Sequence, residues 1–270
     1  MDFQLDHVVH FVNDPKASVD LLKQIGLRAV EGGRHEKWGT YNTLSYFDLS
    51  YIEFLGLFDR EQAVRSWDVE YDLVGQLVRD SFREGISRIA VRTNRIDQAA
   101  EQLKKRGLSV HGPVRGSRRR PDGGVIQWSL LFASDKRSEL PLPFIIQWEE
   151  SDEERRIDLK NRELIAPHPA GDVSISEVAI AVRDLETTAD NWASWFGLNT
   201  GEIYVDRSLQ AKCRSLQLSG GNLLLCSPLA NNGVVSEVLA TRGERPFLVG
   251  LSGGSEKGDK QLLGSIYRFK

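Results

Sequence analysis

The chain has 270 residues and is 40% hydrophobic, so it can bury the core of one large domain or two ordinary ones. Its formal net charge of -3 gives generic nucleic-acid binding little electrostatic support, and no apolar run approaches the roughly 18 residues that span a bilayer. Two cysteines are too few for a disulfide framework, and the amino terminus lacks the layout of a secretory signal. These features predict a soluble protein of a reducing cytoplasm.

An internal repeat organises the chain. Three strand candidates of equal length, LDHVVHFV, ISRIAVRT and ISEVAIAV, are each followed by a helix candidate that ends in Gly-Leu. The third strand residue and the helix-ending glycine are 19, 19 and 20 residues apart (7 to 26, 88 to 107 and 177 to 197). Glycine suits the left-handed position after a helix. The strand candidates occupy 5–12, 86–93 and 175–182, and the helix candidates occupy 14–27, 94–108 and 183–198.

Three further strand candidates follow each helix, which makes the repeating unit β-α-β-β-β. A fourth, shortened copy is expected at 245–270, with RPFLVGLSGG as its first strand, KQLLG as a helical stub and SIYRFK as its closing strand. Between the first two units, residues 59–84 have apolar residues at helical spacing. This segment is predicted to connect the units by helices.

The layout, with LDHVV opening the chain and YIEFLG closing the first unit, resembles the vicinal-oxygen-chelate superfamily, the glyoxalase and extradiol-dioxygenase group. Within that superfamily, GGRHEKWGTYNTL at 32–44 is similar to the Gly-Gly-x-His and Gly-Thr-x-Asn stretch of glyoxalase-like proteins. The resemblance covers most of the chain as topology, and its specific motifs lie in 5–57. It implies an α+β fold in which tandem β-α-β-β-β units pair into curled mixed sheets, with a divalent metal on the concave face.

Three segments follow from this pairing. Units one and two would form a glyoxalase-like domain over 1–150 that contains the site, and a charged linker, part helical, would cover 151–172. Units three and four would form a second, incomplete domain over 173–270. Because the units pair within one chain, a monomer or a homodimer is expected.

The superfamily places its metal ligands on the first and last strands of each unit. Alternation puts His7 on one face of its strand together with Leu5, Val9 and Phe11, and puts Asp6, Val8 and His10 on the other. On the closing strand Glu53 is a lone carboxylate between apolar neighbours, and burying it without a partner would cost several kcal/mol. The superfamily pattern assigns Gln147 to the last strand of unit two. The implied ligands for Mn, Fe, Co, Ni or Zn are His7, Glu53 and Gln147.

Arg88 takes the remaining first-strand position, and a guanidinium cannot ligate a metal. One interpretation keeps the three-ligand metal site and lets Arg88 grip a carboxylate or enediolate oxygen of the substrate. The other has Arg88 neutralise Glu53 through a salt bridge, so that the cup is a metal-free pocket. In both versions His7, Glu53, Arg88 and Gln147 should face one cavity while His10 faces away.

The glycine-rich stretch at 32–42 is predicted to lie at the mouth of the cup. His35 could serve there as acid, base or ligand, Asn42 could donate to an oxygen, and Trp38 could cover the substrate. The alternative is a tight loop with a surface histidine and a packing tryptophan. On the facing unit, Gln127 and Trp128 could form the opposite wall, although core packing explains Trp128 equally well.

The remaining polar features favour structural roles. The basic run VRGSRRRPDGG at 114–124 is typical of a solvated hairpin tip, with an anion-steering rim as the alternative. In unit three Glu177 has Leu224 at the matching closing-strand position, so the second cup is expected to be structural. His10, His111 and His168 are interpreted as ordinary strand or loop histidines.

The favoured function is a glyoxalase-like enzyme for a small oxygenated substrate, acting through a divalent metal in the first cup, with Glu53 or His35 moving a proton. Lyase, isomerase and dioxygenase chemistry all occur in the superfamily. The alternative is a metal-free protein that binds or sequesters a small, planar, anionic molecule. A scaffold without a ligand is the third hypothesis.

Overall fold

A computed structural model describes residues 2–65, 73–120, 123–138 and 140–270. These residues contain fifteen strands arranged in two curled mixed sheets, which confirms the predicted α+β fold. The strands of the first sheet are β1 (Gln4–Phe11), β2 (Val30–His35), β3 (Thr40–Phe47), β4 (Ser50–Leu57), β5 (Gly85–Arg92), β6 (Ser109–Arg119), β7 (Val125–Ser134) and β8 (Phe144–Trp148). The strands of the second are β9 (Ser174–Ala181), β10 (Tyr204–Asp206), β11 (Ala211–Leu216), β12 (Asn222–Pro228), β13 (Arg245–Ser252), β14 (Gly258–Leu262) and β15 (Ser265–Phe269).

The first sheet joins units one and two through their opening strands. Its order is β2-β3-β4-β1-β5-β8-β7-β6, with β1 antiparallel to β5 and each opening strand parallel to the closing strand of its own unit. The second sheet repeats this plan around β9 and β13, in the order β10-β11-β12-β9-β13-β15-β14. Each sheet is therefore built from two units side by side.

The helices begin and end where local sequence signals place them. Asp14 and Asp184 accept backbone hydrogen bonds at the starts of the first helices of units one and three, and Gly197 ends the latter in a left-handed conformation. Ser151 and Glu154 form a capping box at the start of a helix in the predicted linker. The helices are α1 (Pro15–Gln24), α2 (Arg60–Arg65), α3 (Leu73–Arg79), α4 (Ile96–Lys105), α5 (Asp152–Asn161), α6 (Leu185–Phe196) and α7 (Val234–Arg242).

Two expectations about the connections change. Helices α2 and α3 agree with the predicted helical connection, of which residues 66–72 lie outside the described part of the chain. The helical stub expected at KQLLG is wrong, because these residues belong to β14 and the turn after it. Leu263 and Gly264 both adopt positive φ, at 49° and 76°, which is the geometry of a two-residue hairpin turn between β14 and β15. Helix α7 was not predicted.

The main core lies between the two sheets and includes residues of both, among them Phe3, Val8, Val178 and Trp192. On the concave face of the second sheet, Val235 and Leu239 of α7 belong to a separate apolar cluster. The concave face of the first sheet instead borders a large cavity. None of the described helices combines the length and the apolar content needed to cross a bilayer.

Candidate active site

A bulge in β1 places an unexpected carboxylate at the site. In the pairing with β5, Leu5 lies opposite Val91 and His7 opposite Ala90, so Asp6 has no partner across the ladder. The Asp6 side chain is fully buried, and its Oδ2 accepts a hydrogen bond of 2.9 Å from Trp148 Nε1. Because a bulge interrupts strict alternation, the prediction that Asp6 shares a face with His10 is wrong.

His7 is held between two carboxylates. Its Nδ1 lies 2.6 Å from Asp6 Oδ1, its Nε2 lies 3.8 Å from Glu53 Oε2, and its ring stacks on Tyr51 at 4.6 Å. Burial raises the pKa of Asp6, but the hydrogen bond from His7 and the charges of Arg155 and Arg92 outweigh it and leave that pKa below its ordinary value. Asp6 is therefore ionised at neutral pH, and His7 Nδ1 is the donor. In the neutral ring this tautomer leaves Nε2 able to accept a proton.

Glu53 is fixed by Asn42. Asn42 Nδ2 donates to Glu53 Oε1 at 2.6 Å, while Asn42 Oδ1 accepts from the backbone N–H of Gly33 at 2.7 Å. The two bonds define the amide orientation and turn the second carboxylate oxygen, Oε2, toward His7. Glu53 is only 8% exposed and shares a cavity wall with His7, as alternation along β4 predicted.

The site opens into a cavity of about 530 Å³ on the concave face of the first sheet. Its walls combine aromatic, aliphatic and polar side chains. The linker segment covers it, because Arg155 and Leu159 of α5 line the cavity together with Arg162. The segment predicted as a linker at 151–172 therefore also encloses the site. The aromatic lining includes Trp38, Tyr51, Trp128, Phe132, Phe144 and Trp148.

The glycine-rich stretch does lie at this cavity. Strand β2 ends at His35, a turn of 3-10 helix covers Glu36–Trp38, and Gly39 turns the chain into β3 with a φ of 64°. Both His35 and Trp38 line the cavity, and His35 Nδ1 lies 3.0 Å from Thr40 Oγ1. Burial lowers the pKa of His35, Glu53 opposes this, and Arg118 adds to it. His35 is therefore a neutral imidazole at neutral pH.

Gln147 is not at the site, so its predicted position is wrong. Its Oε1 accepts a hydrogen bond of 2.9 Å from the backbone N–H of Ile96, the first residue of α4. Its strand neighbours Ile146 and Trp148 line the cavity instead. Strand register gives the reason: Val9 pairs with Glu53 in unit one, and Ala90, at the equivalent position of unit two, pairs with Phe144. Unit two therefore presents Phe144 at the position that Glu53 takes in unit one.

Two further predicted positions differ from the structure. Arg88 is 2% exposed, its Nη2 donates to the Leu142 carbonyl at 3.1 Å, and it does not line the cavity. The predicted salt bridge between Arg88 and Glu53 is therefore wrong. Gln127 is exposed on β7, while its neighbour Trp128 lines the cavity. Alternation along β7 allows only one of these neighbours to face inward.

The three predicted metal ligands do not converge on one point, so these residues do not fit the predicted metal site. His7 and Glu53 converge, but Gln147 points to the opposite face of the sheet. In addition, His7 Nδ1 and Glu53 Oε1 already contact Asp6 and Asn42. Over the described ranges, no group of three or more His, Cys, Asp or Glu side chains is arranged to hold a metal ion.

The residues predicted to have structural roles lie partly outside and partly inside the cavity. His10 faces away from the cavity, with Nδ1 2.7 Å from the Tyr267 hydroxyl and Nε2 2.7 Å from the Leu263 carbonyl. His168 is also outside the cavity, but His111 lines it. Glu177 forms an ion pair with Lys270 at 2.7 Å, in a second sheet whose concave face is filled with apolar side chains.

The basic run contributes more to the site than a solvated tip would. Arg118 and Arg120, from the hairpin of β6 and β7, both line the cavity, while Arg119 between them is exposed. Residues 121 and 122 of this run lie outside the described part of the chain. Asp6 and Arg118 are thus among the site residues that the sequence did not predict. The only sequence signal for Arg118 was the charge of the run itself.

Comparison with known proteins identifies the fold family. The sequence matches the model of the glyoxalase-like domain family over residues 5–196. A hypothetical protein from Staphylococcus aureus has a similar structure, with a TM-score of 0.77, 22% identity and 99% of each chain covered. A mutant of 4-hydroxymandelate synthase from Streptomyces coelicolor has a TM-score of 0.59 at 12% identity, over 94% of this chain and 72% of that chain. No curated protein matches the sequence. The chain belongs to the glyoxalase-like domain family of the vicinal-oxygen-chelate superfamily.

Proposed function

We propose that the first cup is the active site of an enzyme that moves a proton beside a carbonyl group of a small oxygenated substrate. The observation that supports this most directly is the pair formed by His7 Nε2 and Glu53 Oε2, 3.8 Å apart in the wall of an aromatic cavity. Each member is held by a separate partner, so the two reacting atoms are oriented before the substrate arrives. Isomerase chemistry fits this arrangement best.

The chemical step requires only groups of this chain. His7 Nε2 accepts a proton from the carbon beside the carbonyl, and the C–H electron pair becomes the enolate. The imidazolium that forms lies between Asp6 and Glu53, whose negative charges stabilise it. His35, neutral at the same cavity, can donate a hydrogen bond to the enolate oxygen. Return of the proton from His7 Nε2 to the enolate carbon regenerates the base with no oxidant or reductant, and a solvent deuteron can take its place. The reaction is an isomerisation when the proton is returned to the opposite face of that carbon or, in an enediolate, to the adjacent carbon.

The test is solvent deuterium exchange. Small 2-oxo acids and hydroxyketones are incubated with the protein in D2O, and loss of the C–H signal is followed by NMR. We expect exchange above the buffer rate. It should fall at least about 100-fold in His7→Gln, which removes the base, and in Glu53→Gln, which removes a charge that stabilises the imidazolium. Glu101→Gln, the same change at an exposed position on α4, is the matched control. Exchange equal to the buffer rate across the panel, or unchanged in Glu53→Gln, contradicts the proposal.

The second candidate is a binding or sequestering protein of the same fold. The aromatic lining and the arginines around the cavity favour it, because they suit affinity for a planar anionic molecule. Tight binding of a small molecule without exchange would select this function.

In either case we assign the site to residues 1–150 together with α5, and the apolar second cup of 173–270 to a structural role. We also propose that the chain acts in the cytoplasm as a monomer or homodimer.

A further inference from the structure

Four arginines line the cavity, and they differ in their partners. Arg120 lies 3.1 Å from Asp158 Oδ2, and Arg162 lies 3.6 Å from the same oxygen. Arg155 lies 3.7 Å from Asp6 Oδ2 and 3.8 Å from Asp152. Within the described ranges, Arg118 has no carboxylate within 4.0 Å, so it alone of the four is not paired with a described carboxylate.

The Arg118 guanidinium packs on Gly33, whose N–H begins a chain of hydrogen bonds to Glu53. A Cβ built on Gly33 would collide with Arg118 Nη1, so the guanidinium packs directly on the glycine backbone. The N–H of the same glycine donates to Asn42, and Asn42 donates to Glu53. Arg118 is thus separated from the Glu53 carboxylate by one backbone unit and one amide side chain. Burial is the main cause that lowers the pKa of His35, on the same strand as Gly33, and the charge of Arg118 adds to it.

Apart from Glu53, which accepts from Asn42 and faces His7, the carboxylates that line the cavity have cationic partners. Asp158 binds Arg120 and Arg162, and Glu31, at the rim near Gly33, contacts Lys16 at 3.5 Å. An unpaired, half-buried guanidinium that faces an aromatic cavity is stabilised by an anion from outside the chain. A carboxylate matches its planar donor geometry through two parallel hydrogen bonds.

We propose that Arg118 is the anion-binding residue of the first cup, and that the substrate is a small carboxylic acid with an aromatic or branched apolar group. The carboxylate binds Arg118, and the apolar group packs on the wall formed by Trp128, Phe132 and Phe144. Only the statement that this acid is a substrate rests on the proposed function. The binding itself is independent of proton transfer.

The test compares acids with amides of the same shape. Binding of phenylacetate and phenylacetamide, and of indole-3-acetate and indole-3-acetamide, is measured by calorimetry or ligand-observed NMR. We expect each acid to bind at least roughly 10-fold more tightly than its amide. In Arg118→Gln the affinity for the acids should fall roughly 10- to 100-fold, the range for hydrogen bonds to a charged group, while the affinity for the amides stays the same.

Arg119→Gln is the matched control, because this neighbour on β6 is exposed and carries the same charge. Gly33→Ala is a second, independent variant. Its methyl group collides with the movable end of the Arg118 side chain, so it should displace the guanidinium and reduce acid binding in the same direction. Circular dichroism and the thermal midpoint of each variant confirm that it is folded.

Three outcomes would overturn the proposal: no acid in the panel binds, acids and amides bind equally, or Arg118→Gln keeps the preference for acids. Failure of the proposed function is recognised separately. If wild-type protein binds the acids through Arg118 but catalyses no exchange on 2-oxo acids, the anion site stands and the proton-transfer function fails. Measuring acid binding in Glu53→Gln, which lacks the proposed proton-transfer pair, separates the two results further.

Discussion

His7 Nε2 lies 3.8 Å from Glu53 Oε2. The other polar atom of each side chain has its own partner: His7 Nδ1 contacts Asp6, and Glu53 Oε1 accepts from Asn42. The separation is longer than a hydrogen bond, so neither atom satisfies the other completely. A substrate hydrogen placed against this wall can contact both atoms. The pair is therefore positioned by its neighbours, and under the proposed function the substrate completes it.

Asp6→Asn should impair the pair without removing either member. Asp6 fixes the proton of His7 on Nδ1, and an amide can stabilise the other tautomer, which leaves Nε2 protonated. We expect deuterium exchange to fall at least about 100-fold. The nitrogen-15 shifts of the His7 ring, measured in the folded variant, should show a changed tautomer. Unchanged shifts together with lost activity would show that Asp6 acts through its negative charge on the imidazolium and not through the tautomer.

Gln147→Ala should reduce stability without affecting ligand binding. The side chain satisfies a backbone N–H in the first turn of α4, and loss of such a cap costs roughly 0.5–2 kcal/mol. Gln147→Glu keeps an acceptor and adds negative charge near the helix amino terminus, so it should be at least as stable as wild type. Urea denaturation measures both variants. A change in ligand or metal affinity in Gln147→Ala would show that the residue reaches the cavity after all.

The stability of the protein should fall between about pH 6.5 and pH 4 because of His10. Burial lowers the pKa of His10 from 6.5 to about 4, partly opposed by its bond with the Leu263 carbonyl. In this range the unfolded chain binds a proton that the native state does not, so acid favours unfolding, by about 3 kcal/mol in total. Free energies of unfolding measured across this range test it. His10→Gln cannot titrate, so it should show a shallower pH dependence than wild type, and equal slopes would contradict the assignment.

Gly39→Ala should destabilise the turn that presents His35 and Trp38. The left-handed conformation at φ 64° costs a residue with a Cβ about 1–2 kcal/mol, and here the Cβ would also collide with the Asp59 carbonyl. Gly107→Ala is the matched control, because Gly107 also has positive φ but has no atom near a built Cβ. The thermal midpoint should fall further for Gly39→Ala than for Gly107→Ala. Equal losses would show that the contact with Asp59 does not constrain the turn.

The sequence by itself determined the fold class and one wall of the site. Strand and helix patterns are local, because alternation, helical spacing and a helix-ending glycine act within a few residues of one another. The same local rule placed His7 and Glu53 on one face, and the glycine-rich stretch placed His35, Trp38 and Asn42 at the cavity. Each of these positions depends on short-range geometry.

Only the tertiary structure decided the other walls. The register between β5 and β8, which turned Gln147 away, is set by pairing between residues more than fifty positions apart. The bulge that gives His7 its carboxylate partner depends on how β1 meets β5, and alternation alone assigns Asp6 to the wrong face. Arg118 is positioned by packing on Gly33, which lies on a distant strand of the sheet. Residues of α5 in the linker line the cavity only because the chain folds back over the first sheet. Such long-range contacts leave no periodic signal in the sequence, because one shifted residue in a strand pairing reverses the face of every side chain after it.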